Sequence, residues 1–441
     1  KNIMSKKIIF NNVVEDMEWR GLLFDHTPEA THNLITEKIT CYNGFDPTAS
    51  SLHIGNLVAI MGLARLQKYG HTPIILVGGG TGMIGDPSGK SEERVLLSKE
   101  KIDENVDSIY KQVSPFLDFS SKIKNPAKIV NNSDWLKKID LLSFLRDIGK
   151  HFTVNTMLSR ESVKNRLDRD TGISFTEFSY QLLQAYDFLK LYDDYGCNFQ
   201  SGGSDQWGNI LGGIDLIRRV HSRKKSKNDL AHGIIFPLVT TSSGEKFGKS
   251  IGGAPTLDPN VTSPYKLFQF FLNVSDEDVI NYLKIFTFIT PENLVKIQES
   301  VSIEPQKRIG QKTLAEEVTK YVHGTNGLQK AKKITEAFFS NNLNALSLEE
   351  LEDLLDKSEI FQINYEDILN KNFTDVCINN NFRIFSSKNE LKRLCEQGGI
   401  YINDKKFSSY ENKINPNELM ENKYLLIRKG KKNYFLLKIK N

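Results

Sequence analysis

The glycine-rich, lysine-bearing stretch "SSGEKFGKSIGG", residues 242–253, has residue types that suit contact with phosphate. A second such stretch, "GDPSGKS", occupies residues 85–91. An ordinary nucleotide phosphate-binding loop, G-x-x-x-x-G-K-[ST], has one more residue between its glycines than lies between Gly244 and Gly248. Glycine still lets the backbone approach a phosphate, and lysine supplies a mobile charge. Phosphate contact is therefore one interpretation, and two surface turns that carry lysine are the other.

A possible anion site begins at "SSLHIGN", residues 50–56. Ser51 is a suitable N-cap, which would place His53, Gly55 and Asn56 in the first turn of a helix. The unpaired N–H groups and the dipole of a first turn favour an anion. We predict a nucleotide contact here, with a capped helix and a solvated His53 as the alternative.

The stretch "TEFSYQLLQAYDFLKLY", residues 176–192, has the pattern of an amphipathic helix. At about 100° per residue, Tyr180, Gln184 and Asp187 share one face, opposite an apolar face. A solvated face ordinarily carries Lys, Glu and Arg, whereas this one offers a phenol, an amide and a carboxylate. We predict a binding face and keep a solvated face as the alternative.

Three aspartates follow predicted strand ends. Asp205 lies in "SGGSDQWGN", Asp46 in "GFDPT" and Asp86 in "IGDPSG". A carboxylate beyond a glycine-rich turn suits a ribose diol or an ammonium group, and it also suits an ordinary turn. The neighbouring Trp207 is predicted to pack rather than to act in chemistry.

The elements that position these residues read as strand, helix, strand from about residue 37 onward. That order predicts an α/β fold with a parallel sheet, in which ligands bind at the carboxyl ends of the strands. Residues 262–340 have helical periodicity, and residues 341–365 are acidic and Asn-rich, with one helix expected. A small α+β module closes the chain, with a capping box at Ser387 and Glu390 and a final hairpin around "RKGKK".

Composition and charge restrict the class of protein. The 39% hydrophobic and 25% charged residues are typical of a globular chain, and no apolar run approaches the roughly 20 residues that span a bilayer. The four cysteines form no C-x-x-C pair, which argues against structural zinc and disulfides and favours a reducing compartment. The net charge is +4, yet residues 382–441 hold 14 Lys and Arg against 6 Asp and Glu, so a polyanion is expected to bind there.

The motifs together resemble bacterial-type tyrosyl-tRNA synthetase, a class I aminoacyl-tRNA synthetase. The resemblance covers essentially the whole chain and rests on "YNGFDPT", "HIGN", "GDPSG", "SYQLLQAYD", "GGSDQWGN" and "KFGKS". It implies a Rossmann-like catalytic domain, a mobile KFGKS loop, a helical anticodon-arm domain and a basic RNA-binding domain. The predicted boundaries are 1–240 for the catalytic domain, 241–261 for the loop and linker, 262–340 for the helical domain, 341–365 for the acidic linker and 366–441 for the basic domain.

The resemblance also implies which residues act. Those that stabilise the reacting phosphates would be Thr48, His53, Asn56, Lys90, Arg94, Lys246 and Lys249. Those that bind tyrosine would be Tyr42, Asp86, Tyr180, Gln184 and Asp187, with Tyr42 and Asp187 on the phenolic hydroxyl. Those around ATP and the adenylate would be Gly44, Asp46, His53, Gly55, Asn56, Gly203, Asp205, Gln206 and Lys249.

Three residues depart from the pattern expected of the family. Asn56 replaces the second histidine of the HIGH signature, so it can donate a hydrogen bond but cannot carry charge. Asn43 and Ala59 stand where some relatives have Cys and a hydroxyl residue, which puts ribose contacts there in doubt.

The implied substrates are tyrosine and ATP with Mg²⁺, with no structural metal, and the implied partners are tRNA(Tyr) and a second copy of the chain. The expected location is the cytoplasm, with an organellar matrix as the alternative. A tryptophanyl-tRNA synthetase is the closest rival function, although Tyr42 and Asp187 suit a hydroxyl better than an indole N–H. An RNA-binding protein on a synthetase scaffold and a small-molecule adenylyltransferase are further alternatives.

Overall fold

The computed structural model describes residues 10–88, 97–167, 172–221, 230–245, 247, 254–368, 371–379, 381–430 and 433–440. The chain falls into two compact units. The first consists of Lys1–Thr262 and Phe270–Val322, and the second of Ser263–Gln269 and His323–Asn441. The domain boundaries drawn from the sequence stay a prediction.

The first unit is built on a mostly parallel sheet. In the described part of the chain its strands are β1 (Asp25–His26), β2 (Thr40–Phe45), β3 (Thr72–Val77), β4 (Lys128–Asn131), β5 (Phe199–Gly203) and β6 (His232–Phe236). Their order is β1-β6-β5-β2-β3-β4, and only β1 runs antiparallel to its neighbour. The chain moves outward from β2 to β3 and β4 on one side, then returns to β5 and β6 on the other. The order therefore reverses between β2 and β5, which is where such sheets bind ligands.

Burial explains why these segments form parallel strands. Five of the six residues of β3, "TPIILV", are buried, and so are all five of β6, "HGIIF". Strands covered by helices on both faces read as continuous apolar runs of this kind. The predicted α/β fold class is confirmed.

Helices connect and cover the strands. The first ten are α1 (Val13–Arg20), α2 (Ala30–Thr36), α3 (Leu57–Lys68), α4 (Lys99–Val113), α5 (Ser133–Leu136), α6 (Leu141–Ser143), α7 (Val154–Leu158), α8 (Glu161–Leu167), α9 (Phe175–Tyr195) and α10 (Trp207–Val220). The region predicted to be helical contains α11 (Pro264–Leu272), α12 (Asp276–Phe286), α13 (Pro291–Ile303) and α14 (Ile309–Phe339). Gly324, at φ 71° and ψ −178°, interrupts α14 with a conformation that is not helical. The helical periodicity of this region is confirmed.

The second unit contains a mixed sheet of order β7-β11-β10-β8-β9. Its strands are β7 (Ile360–Ile363), β8 (Ile400–Ile402), β9 (Lys405–Lys406), β10 (Tyr424–Lys429) and β11 (Asn433–Ile439), and its helices include α15 (Leu348–Leu354), α16 (Tyr365–Ile368), α17 (Phe373–Cys377) and α18 (Lys388–Glu396). The predicted final hairpin is β10–β11. The acidic segment holds the expected helix, α15, and also β7, which pairs in parallel with β11.

The predicted capping box of α18 is half right. The Ser387 side chain accepts the Glu390 N–H at 3.1 Å, as an N-cap does. The Glu390 carboxylate, however, accepts the N–H of Ser386 at 2.7 Å rather than that of Ser387. The reciprocal bond therefore reaches one residue further back than the sequence pattern indicates.

Two findings bear on the predictions from composition. Cys41, Cys197, Cys377 and Cys395 are all buried free thiols. A search of the described helices finds none that is both long and apolar enough to cross a membrane.

Candidate active site

A cavity of about 490 Å³ opens at the carboxyl ends of β2 and β5, within the first unit. Every predicted site residue that the structure describes lines it: Tyr42, Gly44, Asp46, Thr48, His53, Gly55, Asn56, Asp86, Tyr180, Gln184, Asp187, Gly203, Asp205 and Gln206. The remaining four, Lys90, Arg94, Lys246 and Lys249, lie outside the described residues. Residues from separate stretches of sequence thus meet at one place.

Asp187, on α9, is the most deeply buried acid of the cavity, at 2% exposure. The Trp135 indole Nε1 donates to its Oδ1 at 2.7 Å, and the Asn132 amide Nδ2 donates to its Oδ2 at 2.9 Å. Burial raises the pKa of Asp187 to about 8, against the two hydrogen bonds, which lower it. In either protonation state the carboxyl group keeps acceptor capacity beyond these two bonds. Asp187 can therefore receive a hydrogen bond from a ligand.

Tyr42, on β2, is the second polar group near Asp187, at 1% exposure. Its hydroxyl has no hydrogen-bond partner among the described residues, and neither has Oε1 of Gln200, its neighbour in register on β5. Burial, followed by the charge of Asp187, raises the pKa of Tyr42 well above its ordinary value. Unpaired buried polar atoms are costly and rare, so this end of the cavity is suited to a ligand that completes them.

Asn132 and Trp135 are site residues that the sequence prediction missed. They lie in "NSDWL", directly after β4, where no candidate site residue was predicted. Asn132 also donates to the Thr81 hydroxyl at 2.9 Å and accepts the Gly80 N–H at 2.8 Å. The available signal was an amide and an indole at the carboxyl end of a parallel strand, where ligand sites gather.

Asp46 is a half-buried acid group of the cavity. The Tyr180 hydroxyl donates to its Oδ2 at 2.7 Å, and the Thr81 hydroxyl donates to its Oδ1 at 2.6 Å. Burial and the nearby Asp46 raise the pKa of Tyr180 well above its ordinary value. A β-carbon on Gly78 would lie 2.0 Å from Asp46 Oδ1, so only glycine fits beside this carboxylate.

Asp86 lies in the loop that follows β3, and it accepts the first hydrogen bond in a series of side-chain amides. Gln206 Nε2 donates to Asp86 Oδ2 at 2.8 Å, and Gln184 Nε2 donates to Gln206 Oε1 at 3.2 Å. Asn209 Nδ2 then donates to Gln184 Oε1 at 2.9 Å. This series of hydrogen bonds fixes the orientation of each amide side chain. Gln206 is bonded in it to both Asp86 and Gln184.

The turn at "HIGN" corrects one prediction: Ser51 is not its N-cap. His53 is, because its Nδ1 accepts the Gly55 N–H at 3.0 Å, while the Asn56 side chain accepts the His53 N–H at 3.1 Å. The Ser51 hydroxyl instead donates to the Gln112 side chain at 3.2 Å. Since Nδ1 accepts, the imidazole proton lies on Nε2, which makes that atom a donor. The short turn Ile54–Asn56 precedes α3.

The remaining predicted groups sit where β5 turns into α10. A β-carbon on Gly203 would lie 2.6 Å from Asp205 Oδ1, so the Asp205 carboxylate lies against the glycine backbone. Trp207 packs against the core of the first unit, as predicted. In the "KFGKS" signature, Phe247 is described: it is buried, and its ring lies 5.1 Å from that of Phe286 and 4.8 Å from that of Tyr282.

The parallel sheet and the cavity at its carboxyl edge fit a class I aminoacyl-tRNA synthetase, and comparison with known families agrees with that class. The family model "tRNA synthetases class I (W and Y)" matches residues 34–340, so the chain belongs to this family. A second model, the tyrosine–tRNA ligase SYY-like C-terminal domain, matches residues 350–437.

Individual relatives narrow the family to its tyrosine branch. The chain is 43% identical to the tyrosine–tRNA ligase of Roseiflexus castenholzii, over 97% of this chain and 99% of the relative. It is 44% identical to that of Staphylococcus carnosus, over 98% of this chain and all of the relative. Among solved structures, a C-terminally truncated mitochondrial tyrosyl-tRNA synthetase of Aspergillus nidulans matches with a TM-score of 0.68 and 32% identity, over 75% of this chain and 95% of that one.

Proposed function

We propose that this chain is a tyrosine–tRNA ligase: the tyrosine carboxylate attacks the α-phosphorus of ATP and displaces pyrophosphate to give tyrosyl-adenylate, and the 3′-terminal ribose hydroxyl of tRNA(Tyr) then accepts the tyrosyl group with release of AMP. The observation that carries the proposal is a buried pair in the cavity: Asp187, which accepts two N–H donors, and Tyr42, whose hydroxyl has no partner within the described part of the chain. The names of the relatives agree with it.

Recognition of tyrosine follows from the chemistry of that pair. A phenolic hydroxyl both donates and accepts, so it can donate to the Asp187 carboxylate and accept from the Tyr42 hydroxyl. Phenylalanine has neither function and would leave both groups buried and unpaired, which costs free energy. Tryptophan offers one N–H donor and nothing for Tyr42 to donate to. The site therefore favours tyrosine over both.

We assign the α-ammonium group of tyrosine to Asp86, Tyr180 and Gln184. The Asp86 carboxylate supplies opposite charge, and the amide chain through Gln206 holds it in place. Asp46 is adjacent through the Tyr180 hydroxyl, which adds negative potential on the same side.

The nucleotide is assigned to the mouth of the cavity, next to the His53 turn. The Nε2–H donor of His53, the Thr48 hydroxyl and the Asn56 amide are suited to phosphate oxygens, while Gly44, Gly55, Gly203 and Asp205 line the surface assigned to adenosine. Lys90, Arg94, Lys246 and Lys249 would add positive charge as pyrophosphate leaves. Donors aimed at charge that develops in the transition state lower the barrier, and little covalent chemistry is needed from the protein.

Magnesium is proposed to enter with ATP as part of the substrate. Over the described residues, no group of three or more His, Cys, Asp or Glu side chains has metal-binding geometry. Mg²⁺ commonly binds through nucleotide phosphates with few protein ligands, and that mode fits this cavity.

The proposed macromolecular partners are tRNA(Tyr) and a second copy of the chain. The basic residues of 382–441 support a contact with the phosphate backbone. Support for a homodimer comes from exposed apolar side chains concentrated in one stretch of sequence: Leu141, Leu142, Leu145, Val154 and Phe175. The cytoplasm, or alternatively an organellar matrix, stays the proposed compartment.

The test is ATP–pyrophosphate exchange with tyrosine, tryptophan and phenylalanine side by side, followed by tRNA charging. We expect exchange with tyrosine alone and transfer to tRNA(Tyr). Exchange with tryptophan and none with tyrosine would assign the chain to the rival branch. Adenylate formation without tRNA charging would favour a small-molecule adenylyltransferase.

A further inference from the structure

Helix α4 carries two amide side chains in the face that it buries. That face consists of Ile102, Asn105, Ile109, Gln112 and Val113, at the three-and-four spacing of a core-facing stripe. Asn105 and Gln112 are only 1% and 8% exposed. Buried amides in positions that apolar residues ordinarily fill are explained by the partners they bind.

Gln112 binds residues 50–52, and its Nε2 also donates to the carbonyl and hydroxyl of Ser108 on its own helix. Its Oε1 accepts the Leu52 N–H at 2.8 Å, and its Nε2 donates to the Ser50 carbonyl at 2.9 Å. The Ser51 hydroxyl donates to the same Oε1 at 3.2 Å. One side chain thus engages three consecutive residues.

Asn105, two turns earlier on the same face, engages the start of the same segment. Its Nδ2 donates to the Pro47 carbonyl at 2.9 Å. Seven residues of helix return to nearly the same direction, so both amides lie along one line. Together they follow the backbone of residues 47–52, which is neither helix nor strand.

Residues 47–52 connect β2 to the His53 turn, and they carry Thr48. The segment is also held at its far end by residues 255–257: the Ile54 N–H donates to the Pro255 carbonyl at 3.0 Å, and the Leu257 N–H donates to the Leu52 carbonyl at 2.8 Å. The amides of α4 therefore add bonds at Pro47 and Ser50, earlier in the segment than the bonds to residues 255–257.

We propose that Gln112 and Asn105 are positioning residues of the synthetase reaction, which act by holding the 47–52 backbone so that Thr48 and His53 face the reacting phosphates. This rests on the proposed function, in which Thr48 and His53 contact those phosphates. Hydrogen-bond donors stabilise a transition state only if they are already in place, and small displacements of such groups are expensive.

The first test is Gln112→Met, which keeps the side-chain length and removes both hydrogen-bonding functions. The expected result is a kcat for tyrosine-dependent exchange roughly 10- to 100-fold lower, with tyrosine affinity in the absence of ATP changed less than about twofold. Asn105→Ala should likewise lower kcat and leave the tyrosine affinity nearly unchanged.

The matched control is Gln311→Met. Gln311 is fully buried on α14 and donates to the Val274 carbonyl at 3.2 Å, in the same unit but away from the cavity residues. It should lose comparable stability and keep kcat within about twofold. Equal kcat values for Gln112→Met and Gln311→Met would overturn the proposal.

A mutant cycle with Thr48→Ala and His53→Ala together shows whether Gln112 acts through the groups that it is proposed to position. In the background that lacks both side chains, Gln112→Met should lower kcat by less than about threefold, because both positioned groups are gone. The full reduction in both backgrounds would mean that Gln112 acts elsewhere.

Hydrogen exchange gives a readout that does not depend on activity. The Leu52 amide should exchange faster in Gln112→Met and at the wild-type rate in Gln311→Met. Unchanged exchange at Leu52 contradicts the positioning role even in an active enzyme. A wild-type chain without tyrosine-dependent exchange contradicts the proposed function instead, so the two failures are distinguishable.

Discussion

At the scale of single residues, two carboxyl groups of the cavity are held in place by hydrogen-bond donors from neighbouring side chains. Asp187 receives N–H donors from Asn132 and Trp135, and Asp46 receives hydroxyl donors from Tyr180 and Thr81. Networks of this kind hold side chains in one orientation before a ligand arrives. Asp187, which is buried, also makes stability depend on pH.

That dependence gives a prediction for Asp187→Asn. Burial raises the pKa of Asp187 to about 8, whereas the pKa of an aspartate in the unfolded chain is about 3.9. Between these values the unfolded chain binds fewer protons than the folded chain, so the Asp187 contribution to stability is lost as pH rises. The free energy of unfolding of the wild type minus that of Asp187→Asn should therefore decrease from about pH 5 to pH 8.

Urea unfolding followed by tryptophan fluorescence measures this difference. Trp19, Trp135 and Trp207 all lie in the first unit, so the signal reports on the unit that contains Asp187. A difference that stays constant or increases with pH would contradict the raised pKa.

Sequence reasoning selected residues that line one cavity, but it missed the side chains that donate hydrogen bonds to Asp187. The Tyr180, Gln184 and Asp187 face was predicted because its polar groups are atypical of a solvated helix. Trp135 was missed because an indole after a strand is indistinguishable from a packing residue until its N–H is seen to donate to Asp187. Ser51 was wrong as the N-cap because the N–H groups of His53 and Ile54, two and three residues on, donate instead to the Asn56 side chain and the Pro255 carbonyl.

At the scale of elements, α3 is the helix that must be placed accurately, because it follows the His53 turn. Its Gly62 packs directly on β6: a β-carbon there would lie 2.2 Å from Cζ of the buried Phe236. Close helix–sheet packing at this point requires the absence of a side chain.

Gly62→Ala should therefore destabilise the protein by about 1–3 kcal/mol, even though alanine is the better helix former. Gly212→Ala on α10 is the control, because the atom nearest its β-carbon would be the end of the flexible Arg160 side chain, at 3.0 Å. Thermal unfolding of the two variants compares them. A Gly62→Ala variant as stable as Gly212→Ala would mean that α3 can move away from β6 without cost.

Elements were predictable where one physical cause dominates. β3 is a continuous apolar run, and α9 has a clean helical period, so both were predicted from the sequence. The reciprocal bond of Glu390 was misplaced by one residue because Ser386 and Ser387 offer equivalent N–H groups, and only the backbone geometry selects between them.

At the scale of the whole molecule, positive charge is concentrated in residues 382–441, near the C-terminus. The second unit contains most of the basic surplus, and Lys405 and Lys406 are exposed on β9. Its sheet also forms a core with the preceding segment, because Tyr424, Leu426 and Leu436 cluster with Leu343 and Leu351. Deleting residues 366–441 would thus strip an apolar surface, which makes charge substitution the cleaner test.

Lys405→Gln with Lys406→Gln should weaken tRNA binding and flatten its dependence on salt, with the slope reduced by about 1 for each phosphate that the lysines neutralise. Tyrosine-dependent exchange should stay at the wild-type level. Lys122→Gln with Lys124→Gln removes equal charge from a loop of the first unit and serves as the control. Identical salt slopes for the two double variants would show that β9 does not contact the nucleic acid.

The domain boundaries are the part of the sequence prediction with the weakest physical basis, because they rest on composition. Composition marks where the acidic segment begins, but it cannot show that β7, within that segment, completes the sheet of the second unit. A short strand such as Ile360–Ile363 has no period long enough to recognise, and its partner β11 lies near the end of the chain.

The most direct measurement is a crystal structure of the protein with bound tyrosine and a non-hydrolysable ATP analogue. The account predicts the phenolic oxygen within about 3.2 Å of both the Asp187 carboxylate and the Tyr42 hydroxyl, the ammonium group at Asp86, and the phosphates beside His53. A tyrosine whose hydroxyl points to any other part of the cavity, with Asp187 and Tyr42 left unoccupied, would contradict it.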